Sequence, residues 1–139
     1  MIILDTNVIS ALMRERPEPS VREWLDRQPR SSIWTTAVTV FEVRAGLGIM
    51  ALGRQRARLE REFVRIVDRD LDGRVLPFDR PAAEKTAALM AERRLSGQTG
   101  ELRDGMIAGI AIAKNATLAT RNTRHFADLA VAVVDPWAA

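Results

Sequence analysis

Asp5, Glu42 and Asp104 each stand inside or at the edge of a stretch that is otherwise apolar, and Asn122 lies just past the short uncharged run Thr117 to Thr120. Brought to one place, three carboxylates repel one another unless a cation sits among them. A set made only of oxygen donors selects hard ions, so Mg2+ is the natural occupant and Mn2+ a substitute. The chemistry open to such a set is in-line attack of a metal-activated water on phosphorus, with the metal charge stabilising the leaving oxygen. It needs no serine, cysteine or lysine nucleophile. Each acid also has a plainer use. Asp5 or Thr6 can cap a helix, Glu42 can pair with a distant arginine, and Asp104 can simply favour the positive end of a helix. The elements that carry the acids decide between these uses.

The run Met1-Ile2-Ile3-Leu4 has strand length and no polar alternation, as in a strand covered on both faces, and it ends on Asp5. Asp5-Thr6-Asn7 are cap-forming residues, and Val8, Ile9, Ala11 and Leu12 follow at helical spacing. A proline-broken connector then leads to Ser20, the expected cap of a second helix that turns Val21, Trp24 and Leu25 to one side. A second strand is expected over Ser31 to Thr35, with Thr36 capping a helix from Ala37 to Leu52. That helix is apolar nearly all round, so it should be covered on more than one side, and it holds Glu42 in apolar company. Gly46 and Gly48 lie inside the helical pattern and form no nucleotide-binding fingerprint.

Arg54 to Asp68 reads as an amphipathic helix, with Leu59, Phe63, Ile66 and Val67 inward and most of its arginines outward. A turn at Asp70 to Gly73 precedes a short third strand, Val75 to Phe78. Asp79-Arg80-Pro81 then starts the long helix Ala82 to Leu95. Ser96 to Gly100 is a loop, and the apolar helix after it carries Asp104 in its first turn. Thr117 to Thr120 is a fourth strand, followed by the polar turn Arg121 to Phe126, and Ala130 to Val134 is a fifth.

Strands alternating with helices predict an α/β fold with a parallel sheet of about five strands, and right-handed crossovers place every strand-to-helix turn on the same edge. Ligands of such sheets gather outside the carboxyl ends of the strands. Asp5, Glu42, Asp104 and Asn122 can therefore meet at one end. Thr6, Asn7, Thr120 and Arg121 flank them and are candidates for touching substrate or shaping the site.

At 139 residues the chain is expected to be a single domain, residues 1–139. The absence of cysteine excludes disulfides and thiolate metal sites. No basic segment precedes the N-terminal apolar run, which is too short for a membrane span, so a soluble cytoplasmic protein with no membrane partner is expected. Net charge is only +3, yet 19 of the 21 basic residues are arginine. Guanidinium forks suit phosphate, although genomic base composition gives the same bias.

LDTNVIS around Asp5, TVFEVRAG around Glu42, RDGMIAGIA around Asp104 and ATRNTRHF around Asn122 together resemble the PIN-domain family, over the whole chain. The resemblance is strongest to VapC toxins of type II toxin–antitoxin systems, in particular their FitB-like branch, to which VLPFD and the terminal DPW are also similar. It implies a PIN-like three-layer α/β/α sandwich and an Mg2+-dependent endoribonuclease whose metal-binding acids are Asp5, Glu42 and Asp104. The fourth position, often aspartate in the family, is Asn122 here, which bears on whether a second metal binds. His125 lies in the same turn and reads as a surface residue more readily than as a base.

The resemblance also implies a VapB-like, DNA-binding antitoxin as partner. It leaves a competing reading in which the chain is a weakly active or inactive subunit of a regulatory complex. A phosphoacceptor enzyme on a similar sheet fits poorly, because Asp5-Thr6-Asn7 lacks the D-x-D-x-T pattern. The apolar surplus of the helix from Ala37 to Leu52 predicts a homodimer.

Overall fold

The computed structural model describes residues 1–139. Five parallel strands form one sheet in the order β3-β2-β1-β4-β5: β1 (Ile2–Leu4), β2 (Ile33–Thr36), β3 (Val75–Leu76), β4 (Thr117–Ala119) and β5 (Val133–Val134). Six α-helices cover it: α1 (Thr6–Leu12), α2 (Pro19–Asp26), α3 (Ala37–Gly48), α4 (Arg54–Arg65), α5 (Arg80–Leu95) and α6 (Leu102–Lys114).

The alternation of side chains along β1 separates two cores. Leu4 packs with Val8, Trp24, Val43, Phe63 and Ile66 on the face covered by α1 to α4. Ile3 packs with Leu89, Ile107, Ile110 and Leu118 on the face covered by α5 and α6. The result is the expected three-layer α/β/α sandwich with β1 at its centre. A strand buried on both faces needs no polar residue until its end, which is why the first polar side chain of the sequence falls on Asp5.

Several boundaries differ from the sequence expectation. Ser20 does not cap α2. Pro19 takes the first helical position, where its fixed φ suits the helix and its missing N–H is not needed, and Glu18 precedes it without a side-chain cap. Arg30–Ser32 form a 3₁₀ turn rather than the start of β2, with the Ser32 hydroxyl donating to Pro29 O at 2.6 Å in competition with strand pairing. The third helix stops at Gly48 instead of Leu52, its last turn weakened by Gly46 and Gly48. Beyond α4 the chain continues as a π-helical turn, Ile66–Asp70. The third strand ends at Leu76 because Pro77 has no N–H to pair. The fifth shrinks to Val133–Val134, since it is an edge strand whose neighbour β4 is only three residues long.

Candidate functional site

Parallel pairing sets the carboxyl ends of β1, β2 and β4 side by side. The Asp5 N–H donates to Ala119 O at 2.9 Å, continuing the β1–β4 ladder by one step and fixing the backbone of Asp5 beside Thr120. Asp5 is the N-cap of α1, and its Oδ1 accepts from the Thr6 N–H at 2.8 Å. Its other oxygen, Oδ2, accepts from the buried Thr120 hydroxyl at 2.8 Å and more loosely from Asn7 Nδ2 at 3.4 Å. Capping and pocket lining thus coexist in one carboxylate.

Asp5 is only 3% exposed, and every one of these donors is neutral. Burial pushes its carboxyl up to about 6, opposed by the hydrogen bonds from Thr120 and Thr6 and reinforced by the nearby charges of Asp104 and Glu42. Those two charges arrive from α6 and α3.

Glu42 is held through hydroxyls. The Thr6 hydroxyl donates to Glu42 Oε1 at 2.8 Å and lies 3.0 Å from the buried Thr39 hydroxyl, which in turn receives the Thr36 hydroxyl at 3.4 Å. Since Thr6 gives its proton to Glu42, Thr39 must be the donor to Thr6. Thr36 also caps α3, accepting from the Thr39 N–H at 3.1 Å. The arginine that a structural ion pair would require is present only at a distance: Arg103 Nε is 3.9 Å from Glu42 Oε2, against 3.0 Å from Glu101 Oε1.

Asp104 stands in the first turn of α6, where Glu101 accepts from the Asp104 N–H at 3.1 Å as the helix cap. Its Oδ2 is 3.4 Å from His125 Nδ1. His125 is largely exposed, as expected of a surface residue, yet it adjoins an acid of the pocket, a contact that sequence does not reveal.

One open pocket of about 400 Å³ unites these groups. Asp5, Glu42, Asp104 and Asn122 all line it, with Thr6, Asn7 and Arg121. Thr120 lies behind the wall as a hydrogen-bond hub. It donates to Asp5 and accepts from Asn7 Nδ2 at 3.2 Å and from the Asn122 N–H at 3.1 Å. The Asn122 side chain makes no internal hydrogen bond and remains free at the pocket edge. Asn7 Oδ1 accepts from the Arg121 N–H at 3.3 Å, and the Arg121 guanidinium lies 4.9 Å from the ring centre of Trp137. Arg14 and Ser10 also line the pocket but carry no distinguishing sequence signal, while Trp137, which lines it too, belongs to the terminal DPW. Thr39 also carries no sequence signal, because its role, and that of Thr36 beyond capping α3, depends on how α3 packs on α1.

The donor set fits a hard divalent cation. Its acids all offer oxygen donors, the most buried of them has no cationic partner, and the charges of Asp104 and Glu42 add to the cost of ionising Asp5. No three acidic or histidine side chains already stand in a closed ligand cluster, so the acids surround the pocket as separate arms.

Comparison with known proteins agrees with this architecture. The PIN domain profile matches residues 2–132. The chain is 39% identical over 137 residues to VapC ribonuclease Y4jK of Sinorhizobium fredii, covering 99% of this chain and 98% of that protein. It is 36% identical over 137 residues to toxin FitB of Neisseria gonorrhoeae, covering 99% of each. Among solved structures, FitAB bound to an IR36 DNA fragment superposes with a TM-score of 0.88 at 36% identity, covering 99% of this chain and 96% of that one.

Proposed function

The chain belongs to the PIN-domain family, among its VapC and FitB-like toxins, and from that premise we propose that it is a divalent-metal-dependent endoribonuclease, the toxin of a type II toxin–antitoxin pair. The observation that supports this reading most is the buried, unpaired charge of Asp5 facing Glu42 and Asp104 across one open pocket.

Asp5, Glu42 and Asp104 would hold the cation, Mg2+ or Mn2+, which when bound activates water toward phosphorus and stabilises the leaving oxygen. The protein's own contribution is to position the carboxylates without neutralising them by an arginine at Asp5. Thr120 and the Thr6 N–H fix both oxygens of Asp5. The Thr39–Thr6 pair points a proton at Glu42 Oε1, which leaves Oε2 with no hydrogen bond and only the distant Arg103 near it. Arg14 and Arg121 have no carboxylate partner and sit at the rim, where an RNA phosphate can bind by charge and by guanidinium hydrogen bonds. Asn122 offers either its carbonyl to the site or its NH₂ to a phosphate.

The likeness to FitAB supports a small DNA-binding antitoxin as partner, and the exposed apolar side of α3 supports a homodimer. The test is incubation of the purified chain with total RNA, with Mg2+ or with a chelator, and mapping of the cut ends. Asp5→Asn, Glu42→Gln and Asp104→Asn should each abolish metal-dependent cleavage, a loss beyond the roughly 100-fold that residues merely orienting metal ligands can cost. A chain that binds its antitoxin but never cuts RNA under any metal condition belongs instead to a regulatory, inactive subunit.

A further inference from the structure

The acid pocket adjoins a second, larger cleft of about 650 Å³, and Asp104 lines both. One wall is the loop of residues 98–100; the other is the 3₁₀ turn Thr123–Phe126, which carries Arg124 and His125.

Arg93, from α5, forms part of this cleft although it is only 7% exposed. Its Nε and Nη2 donate to the two oxygens of Asp128, each at 2.9 Å, and Nη2 also donates to His125 O at 2.9 Å. Nη1, the remaining arm of the guanidinium, has no hydrogen-bond acceptor in the protein. Gly100 lies against that arm: a Cβ there would come 2.9 Å from Nη1. Because the bidentate bond to Asp128 pins the guanidinium, it cannot easily withdraw, and glycine is the residue that leaves Nη1 open to the cleft. Arg124 also makes no ion pair, although Asp104 and Asp128 line the same cleft.

Two guanidinium groups with donors to spare, one of them rigidly mounted, form a receptor for a phosphate rather than for a metal. Asp128 is paired with Arg93 and Glu101 with Arg103, so Arg93 offers a donor in Nη1 rather than a free charge, Arg124 is the cleft's unpaired cation, and Asp104 is its acid with no arginine partner, at the border with the acid pocket. The cleft opens beside Asp104, where a strand bound in the acid pocket has room to continue.

Resting on the ribonuclease reading above, we propose that this cleft is a substrate subsite that binds a phosphodiester of single-stranded RNA flanking the scissile bond, through Arg93 Nη1 and Arg124. The cleft shares Asp104 with the acid pocket, so a strand held there would add a phosphate contact to those open to Arg14 and Arg121.

The experiment is fluorescence anisotropy of a labelled single-stranded RNA in EDTA over a salt series, with the full chain, Arg124→Gln and Gly100→Ala. Each variant should bind about tenfold more weakly, the worth of a charge-assisted hydrogen bond. For Arg124→Gln the slope of log K against log salt should become shallower by roughly 0.7, one phosphate contact on a single strand. Mn2+ affinity by calorimetry should stay at the parent value in both, which separates the subsite from the acid pocket. A parent chain that binds and cuts RNA while both variants match its affinity and salt slope overturns the subsite and leaves the ribonuclease intact. A parent chain that neither binds nor cuts RNA removes both. Loss in Arg124→Gln alone, with Gly100→Ala folded and unaffected, removes Arg93 from the contact. Should Gly100→Ala melt early, the exposed Arg124 decides the matter by itself.

Discussion

The Thr120 hydroxyl donates to Asp5 Oδ2 at 2.8 Å, joining two residues 115 positions apart at the ends of adjacent parallel strands. The contact orients a carboxylate without neutralising it. An arginine in the same place would hold Asp5 more tightly and would also occupy the position where a cation has to sit. Neutral donors leave the charge available, and the cost appears in the carboxyl's raised affinity for a proton.

That cost predicts a pH-dependent stability. A carboxyl at 3.8 in the unfolded chain and at about 6 in the folded one binds more protons when folded. Its contribution is therefore most favourable below the unfolded value and is lost as pH rises through 6, reaching a penalty of about 3 kcal/mol at neutral pH. Asp5→Asn keeps the cap but removes the charge, so in EDTA at pH 7 to 8 it should be more stable than the parent by about 1 to 2 kcal/mol, less than the full penalty because the amide has a single acceptor oxygen. Below pH 4 the advantage should vanish, and saturating Mn2+ should stabilise the parent but not the variant. Parallel melting curves at all pH values would mean that Asp5 carries no isolated charge.

A second expectation concerns Thr39, which does not line the pocket but bonds Thr6, which does. Thr39→Val keeps its shape and deletes the donor to Thr6, freeing the Thr6 hydroxyl to turn away from Glu42. Mn2+ affinity should fall by about tenfold, as for other residues that orient metal ligands. Thr39→Ser, which restores the hydroxyl, should recover most of it. Calorimetry on both variants decides, and equal weakening in the two would assign Thr39 to packing alone.

The apolar surplus of α3 is visible at Phe41, which is 60% exposed and lines an apolar groove with Val38, Phe78, Leu102 and Met106. A second copy of the chain is the expected cover, so light scattering at micromolar concentration should show a dimer, and Phe41→Asp should shift it to monomer by placing a charge in a desolvated interface. A parent chain that is already monomeric would leave this groove to another partner.

The convergence of Asp5, Glu42, Asp104 and Asn122 could be read from sequence because it depends on topology alone: parallel strands, right-handed crossovers and acids just past strand ends. So could the caps at Thr36 and Asp79, whose hydroxyl and carboxylate lie beside the N–H groups they satisfy. Contacts between elements were not legible. The Thr36–Thr39–Thr6 chain requires the packing of α3 on α1, and the Arg93–Asp128 pair joins residues 35 apart with α6 and β4 between them. Edge strands were overextended because an apolar run such as Ala130 to Val134 reports burial, whereas a strand also needs a neighbour long enough to pair with.

Asn122 offers the sharpest test of the pocket, since it is the one uncharged member of the set. Its N–H is fixed to Thr120 at 3.1 Å, while its side chain is free at the edge of the pocket. Asn122→Asp therefore places a fourth carboxylate near Asp5 and Asp104 without disturbing an existing side-chain bond. Without metal the new acid should have a raised pKa and should lift Asp5 further, because like charges share the pocket. With metal the repulsion becomes attraction, and Mn2+ should bind more tightly by calorimetry, an advantage that shrinks as pH falls and the acids protonate. Cleavage discriminates between the two uses of the amide. If Asn122 serves through its oxygen, the rate should hold or rise along with metal affinity. If it donates its NH₂ to an RNA phosphate, the aspartate adds repulsion, and cleavage should fall although the metal binds better. We expect tighter metal binding with little change in rate, and unchanged values in both assays would place Asn122 outside the site as a turn residue.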